Sequence, residues 1–362
     1  MSNAAEVPTP CLLVYGDRMR WNIERMVRLA GGPDRLRPHI KTHKLPEVLK
    51  FHLDAGVTKF KCATVAEAEI AAQAGASEVL LAYQPTGPNP LRLRMLSDLH
   101  PRTQFGAVVD DAGPVRALSN AFAGALRPLE LFLDTDCGMH RTGIEPGAGA
   151  LELYRFMRSL KGVCAAGLHV YDGHIQDADV AVRRARCVEA FEPIREFREE
   201  LEKAGLPVRT VIAGGTPTFP IHALDASVEC SPGTCVLWDF GYGDKFQDMP
   251  FLYGALVMTR VVSKPASNRL CLDLGHKAIA SENPHPRVRL MGLEEAVPVM
   301  HSEEHLVIET PLASNYRIGD VVYGVPRHIC PTVALYSEAY AVENGVATGR
   351  WLVTARARVI SV

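Results

Sequence analysis

The chain has 362 residues, 47% hydrophobic and 22% charged, with 41 acidic against 39 basic side chains and a net charge of −2. Scattered, balanced charge offers no basic field to nucleic acid and no patch for a membrane surface, so the expected partner is a small molecule. No stretch reaches the roughly 18 to 20 uninterrupted apolar residues of a membrane span, and MSNAAEVPTP lacks the charged and apolar regions of a signal peptide, so a cytoplasmic location is expected.

From Cys11 onward, short apolar runs alternate with amphipathic stretches. "CLLVYG" precedes "RMRWNIERMVRLA", "KFKCA" precedes "TVAEAEIAAQAGA", and "EVLLAY" precedes "NPLRLRMLSDL". "QFGAVVD", "LELFLDTD" and "VCAAGLHVY" follow, then a long charged helix near 179–204, then "RTVIAGG" and "SVECSPGT". About eight strand and helix units predict a (β/α)8 TIM-type barrel over residues 8–240. Beyond "DFGYGDKFQDMP" the rhythm changes to strands separated by turns, which predicts a smaller β-domain over 241–362. The nine cysteines are odd in number and lack C-x-x-C spacing, so they read as reduced residues, mostly of the core.

Lys41, Asp134, His169, Gly214 and Gly233 fall at the carboxyl ends of predicted strands, the end of such a barrel that carries its chemistry. In "RPHIKTHK" (37–44), Lys41 stands in an apolar run beside His39, His43 and Lys44. A solvated face is the ordinary place for such a lysine, since burying an unpaired ammonium costs several kcal/mol. At the mouth of a barrel, burial and cationic neighbours instead favour a neutral amine that can form a Schiff base. "IAGGTPT" (212–218) and "SPGT" (231–234) are glycine turns at late strand ends, where free amides and the Thr216 hydroxyl can hold a phosphate. An early lysine with a late phosphate cradle points to pyridoxal phosphate.

Arg141, just beyond a strand in "DTDCGMHRTGI", offers a donor fork to the cofactor's phenolic oxygen or to a substrate carboxylate. In "PRHICPT" (326–332), His328 and Cys330 lie two apart, so on an extended strand both would face one way and could grip a metal ion. A thiolate with an imidazole favours zinc over magnesium. "HSEEH" (301–305) adds His301, Glu303, Glu304 and His305 as groups behind that metal or against the substrate.

The ordered set "TPCLLVYGD", "RPHIKTHK", "DCGMHRTGI", "VYDGHIQD", "GGTPT", "SPGT", "LDLGHKAIASE", "HSEEH" and "PRHICPT" resembles the fold-type III pyridoxal phosphate enzymes with an alanine racemase-like N-terminal barrel, and within them the D-threonine aldolase and D-serine dehydratase group. The resemblance runs over nearly the whole chain. It implies that Lys41 carries the cofactor, that Arg141, His169 and Tyr171 lie beside it, and that Gly214, Gly215, Thr216, Gly233 and Thr234 hold its phosphate. It further implies that His328 and Cys330 bind a divalent metal, zinc by ligand softness with manganese or magnesium as alternatives, and that the protein is a homodimer. Catalytic acid–base work falls to Lys41, Asp172, His174, Glu303 or a metal-bound water. The implied activity is retro-aldol cleavage of a D-3-hydroxy amino acid such as D-threonine to glycine and an aldehyde. The alternative is D-serine-type dehydration to a 2-oxo acid and ammonia. A pyridoxal phosphate carrier without turnover is the reading of another class. The chain departs from the aldolase pattern at Cys330, where aldolases commonly carry Asp, and at Asp172, where they carry His. It departs from the racemase pattern at Ser231, which replaces an arginine against the pyridine nitrogen, so simple racemisation is disfavoured.

Overall fold

The computed structural model describes residues 1–361. In chain order its principal elements are β1 (Cys11–Tyr15), α1 (Gly16–Ala30), α2 (Pro46–Asp54), β2 (Lys59–Cys62), α3 (Val65–Ala74), β3 (Glu78–Leu81), α4 (Asn89–Leu99), β4 (Gln104–Val109), α5 (Ala112–Ala121), β5 (Leu129–Thr135), α6 (Ala148–Ser159), β6 (Val163–Val170), α7 (Val180–Lys203), β7 (Thr210–Ala213), α8 (Phe219–His222) and β8 (Val228–Cys230). There follow α9 (Phe240–Lys245), β9 (Ala255–Ala266), β10 (Arg269–Leu272), β11 (Val288–Leu290), β12 (Val297–His301), β13 (Leu306–Glu309), β14 (Val321–Pro326), α10 (Ile329–Leu335), β15 (Glu338–Glu343) and β16 (Val346–Leu352). They fall into two compact units. The barrel unit comprises Glu24–Lys41, Leu49–Gly233 and the residues from Ala357, and the β-unit comprises Met1–Ile23, Thr42–Val48 and Thr234–Arg356.

In the barrel unit β2 to β8 form a seven-stranded, all-parallel sheet in sequence order, with helices between them. Apolar runs suit strands covered on both faces, and Leu80, Val108, Phe132, Ala166 and Ile212 pack together from five successive strands. Helix starts follow local chemistry: the side chains of Thr64, Asp111 and Asp179 accept backbone N–H bonds at the heads of α3, α5 and α7. Gly167 on β6 is demanded by a close approach, because a Cβ there would lie 1.8 Å from the Thr210 carbonyl oxygen.

The stave between β8 and β2 is Leu36–His39, joined by single parallel bridges to Cys230 on one side and Lys61 on the other. The Arg37 N–H donates to Cys230 O at 2.8 Å, the His39 N–H to Pro232 O at 2.8 Å, and the Lys61 N–H to Pro38 O at 2.9 Å. Arg37 is buried and ion-paired to Glu229 at 2.8 Å and Glu78 at 2.5 Å, and Lys59 pairs with the same Glu229. The segment therefore closes the barrel with a charge network as well as a ladder.

This corrects the expectation that "CLLVYG" is a barrel strand. That segment is β1, which pairs parallel with β15 and antiparallel with β9 in the β-unit. Its flanks are taken on both sides, and Cys11 and Leu13 pack with Val7, Met258 and Val342. The β-unit sheet runs β12-β13-β10-β9-β1-β15-β16, with β14 pairing β9 and β11. A second core of Val257, Val261, Leu270, Leu272, Leu306 and Ile308 lies beneath it. None of the nine cysteines forms a disulfide, and six are buried. Among the described residues no helix is long and apolar enough to cross a membrane.

Candidate active site

Lys41 does not end a strand, as the sequence suggested; it lies in a 3-10 turn, Ile40–Thr42. The backbone turns because the ladder stops at His39, whose Nδ1 accepts the Lys41 N–H at 3.3 Å. The Lys41 side chain lines a cavity of about 610 Å³ in the barrel unit, together with His39, Lys61, Arg141, His169 and Tyr171. The Tyr171 ring centroid lies 4.9 Å from the Arg141 guanidinium carbon, 5.6 Å from Lys61 Nζ and 6.0 Å from Lys41 Nζ. Three basic side chains thus lie around one aromatic ring, at about the distance over which cation–π attraction operates.

His169 is buried and makes a 2.7 Å contact from Nδ1 to Asp134 Oδ1. Burial and the neighbouring Lys61 ammonium lower its pKa, so the ring is neutral and its Nδ1–H donates to the carboxylate. The lone pair on Nε2 then faces Lys61 Nζ, 3.4 Å away. Burial works to raise Asp134, yet its bonds from His169, Thr142 and Gln84 hold it below its ordinary value.

The late glycine turns come together as the sequence implied. The Gly233 N–H donates to Thr216 Oγ1 at 3.2 Å, and the Gly215 N–H to Thr218 Oγ1 at 3.1 Å. Gly214 has φ +79°, and a Cβ there would lie 2.7 Å from His222 Cδ2, so glycine is required on both counts. A Cβ on Gly215 would lie 3.0 Å from the Tyr171 ring. The amine of Lys41, the Tyr171 and Arg141 wall and this turn share one unit and fit an aldehyde-bearing phosphate cofactor. Thr234 belongs to the other unit, where its Oγ1 lies 3.6 Å from Cys330 Sγ.

The proposed acid–base residues are placed differently. Asp172 is buried with its carboxylate turned to Thr218 Oγ1 at 2.7 Å and His222 Nε2 at 2.8 Å, and it is not among the residues lining the Lys41 cavity. Burial would raise its pKa, but the bonds from His222 and Thr218 hold it below the ordinary carboxylate value. Its geometry is that of a buttress beneath the Gly214–Gly215 turn. Asp172→Ala is expected to cost on the order of 3 kcal/mol of stability by leaving His222 and Thr218 without their partner. Urea unfolding checks this, and a variant of unchanged stability and lost activity would return Asp172 to catalysis. The Asp172 contribution is present above the unfolded carboxylate value and disappears as pH falls through the lower folded one.

Asp172, Cys187 and His222 also bring three ligand atoms within 4.8 Å of one another, a set that could hold a metal. An ion there would have to part the hydrogen bond between His222 and Asp172. His174 lies against the Gly138 turn, with Nδ1 buried and without a hydrogen-bond partner. Glu303 is exposed and ion-paired to Lys277 Nζ at 2.9 Å, on the surface of the β-unit.

His328 and Cys330 do meet, though not on a strand. His328 is extended, and Cys330 lies in the first turn of α10. The helix starts there because the buried Asp239 carboxylate accepts the Ile329 N–H at 3.0 Å, and Pro331 is tolerated in a first turn. The same carboxylate accepts the Tyr242 N–H at 3.0 Å and so caps α9 as well. His328 Nδ1 contacts Glu282 Oε1 at 2.5 Å, and its side chain is also hydrogen-bonded to Cys330. Thr42 Oγ1 lies 3.2 Å from Cys330 Sγ. Burial would raise the Cys330 thiol, but His328 outweighs it and brings it below the ordinary value. An imidazole oriented by a carboxylate beside a thiol of lowered pKa is a donor set that fits a divalent metal.

Sequence reasoning passed over Lys61, Glu282, Thr42 and Asp239. Only Lys61 left a legible trace, as a lysine two residues from another in a strand that is otherwise apolar.

A parallel barrel with a lysine in the turn after its closing segment and glycine turns at late strand ends, and a β-unit carrying a His–Cys pair, define a class. The alanine racemase N-terminal domain model matches residues 14–238, and this chain belongs to that family. Residues 254–342 match a putative serine dehydratase domain. The chain is similar to a D-threonine aldolase of Arthrobacter sp., at 29% identity over 97% of this chain and 93% of the relative. It is also similar to a D-threo-3-hydroxyaspartate dehydratase of Delftia sp. (strain HT23), at 30% identity over 94% and 96% respectively. The crystal structure of D-threonine aldolase from Filomicrobium marinum superposes with a TM-score of 0.88, at 28% identity, covering 99% of this chain and 97% of that one. These relatives are lyases by name, and the fold is that of the fold-type III enzymes.

Proposed function

We propose that this protein is a pyridoxal phosphate- and divalent-metal-dependent lyase that cleaves D-3-hydroxy amino acids of the D-threonine type to glycine and an aldehyde. The observation that carries the reading is the Lys41 amine in a barrel cavity that Arg141, His169 and Tyr171 also line, in a chain that also joins His328 to Cys330. Pyridoxal phosphate, when bound, supplies an electron sink for the pair released at Cα as the Cα–Cβ bond breaks. A metal held by His328 and Cys330 would supply a Lewis acid to the β-hydroxyl.

The protein's own groups do the rest. Lys41 offers the amine that anchors the cofactor's aldehyde. The turns at Gly214, Gly215 and Gly233, where backbone can approach closely, together with the Thr216 hydroxyl offer a cradle to its phosphate. Arg141 offers a fork to a phenolate or carboxylate. Asp134 fixes the tautomer of His169, and Glu282 orients His328. A homodimer in the cytoplasm completes this reading.

One observation favours the dehydratase alternative: the metal pair includes a thiolate, a feature of the dehydratase pattern. Incubating the metal-loaded protein with D-threonine and D-serine decides between them. Glycine with acetaldehyde from D-threonine is the expected result. Formation of 2-oxobutanoate and pyruvate without glycine would replace the aldolase with the dehydratase, and absence of any product would leave a cofactor carrier.

A further inference from the structure

Lys61 has no part in the function proposed above, yet it is the most deeply buried amine of the cavity, with 2% of its surface exposed. Its Nζ contacts Ser231 Oγ at 2.6 Å and His169 Nε2 at 3.4 Å. Neither partner is a carboxylate, so the barrel buries an amine without a paired countercharge. A lysine that served packing alone would be replaced by an apolar side chain at a gain in stability.

Both partners are acceptors. Ser231 Oγ donates its own hydrogen to Gly214 O at 2.7 Å, and the His169 ring hydrogen is committed to Asp134. Two N–H bonds of Lys61 are therefore fixed, and the remaining position on nitrogen carries either a proton or a lone pair, on a residue that lines the cavity.

We propose that Lys61 is a second carbonyl-reactive amine of this cavity, one that condenses with small aldehydes of the kind the reaction releases. In that step the Lys61 nitrogen lone pair attacks the aldehyde carbon, the C–N bond forms, and loss of one water leaves an imine. No oxidant or reductant is consumed.

The charge environment supports a neutral amine. Burial first, and then the Lys41 and Arg141 cations, lower Lys61 to about 7, against the opposing pull of Asp134 and Asp172. About half the amine is then unprotonated at neutral pH.

The identity of the aldehyde rests on the proposed function, and the test separates the two. The holoenzyme is treated with acetaldehyde and cyanoborohydride at pH 6 and pH 8, and peptides are mapped by mass for N-ethyl lysine. Labelling of Lys61 is expected to exceed that of the exposed Lys203 at least about tenfold at pH 8. Labelling of Lys61 itself should rise by only about tenfold from pH 6 to pH 8, as the amine loses its proton, against the roughly hundredfold rise of an ordinary lysine amine, so the ratio should fall by about tenfold over that range. Ser231→Ala, which frees one of the oriented N–H bonds, should lower the ratio while the variant remains folded. Lys61 labelled no more than Lys203 at either pH would overturn the assignment. A parallel borohydride reduction without added aldehyde reads the pyridoxyl group on Lys41. If that group is missing, the functional reading fails, and if it is present while Lys61 stays unlabelled, only this inference fails.

Discussion

Lys41→Ala is expected to abolish covalent cofactor attachment and to lower turnover at least about a thousandfold, more than about 4 kcal/mol of lost barrier reduction. The size follows from the kind of group removed. Alanine takes away the only reactive atom that residue 41 contributes, whereas the turn that carries it is held by backbone contacts at Pro38 and His39. The fold should survive, so the effect reads as chemistry. Borohydride reduction with peptide mapping should find the pyridoxyl group on residues 37–44 of the wild type and nowhere in that segment of the variant. Wild-type turnover by Lys41→Ala would sink the assignment of this amine.

His328→Ala and Cys330→Ala are each expected to reduce bound metal from about one per chain to near zero and to lower activity at least about a hundredfold. Elemental analysis after dialysis, beside the product assay, checks both. Glu282→Gln should fall between them and the wild type, because it loosens the imidazole without removing a donor, an effect typically of 10- to 100-fold. Cys330→Asp should shift preference from zinc toward manganese or magnesium, since a hard oxygen replaces a soft sulfur. Metal retained in both alanine variants and lost in Cys187→Ala would instead place the ion at the buried Asp172–Cys187–His222 cluster.

The contrast between these two groups explains how far reading along the chain could reach. Lys41, Arg141, Gly214, Gly215, Thr216 and Gly233 were legible because each sits where a strand gives way to a turn, and a parallel barrel gathers such ends at one rim. His328 and Cys330 are legible as chemistry, but their spacing does not explain their meeting. Two-residue spacing on a strand would have aligned them; a helix start capped by Asp239, 89 or more positions back along the chain, aligns them instead. Asp172 and Glu303 stand out in the sequence by residue type and neighbourhood alone. Nothing local reveals that one carboxylate is claimed by His222 and Thr218, or that the other lies on an exposed surface paired with Lys277.

The alternation of apolar runs and amphipathic helices, the lysine and glycine turns at strand ends, and the donor types at 328 and 330 were determined by the sequence alone, because each depends on short-range periodicity or on intrinsic chemistry. The tertiary structure decided that "CLLVYG" joins the β-unit, that Leu36–His39 closes the barrel, and that Lys61 is buried between Ser231 and His169. Those outcomes depend on which distant backbone edge is free to pair and on which acceptors surround a buried amine, and neither is written within any one stretch of chain.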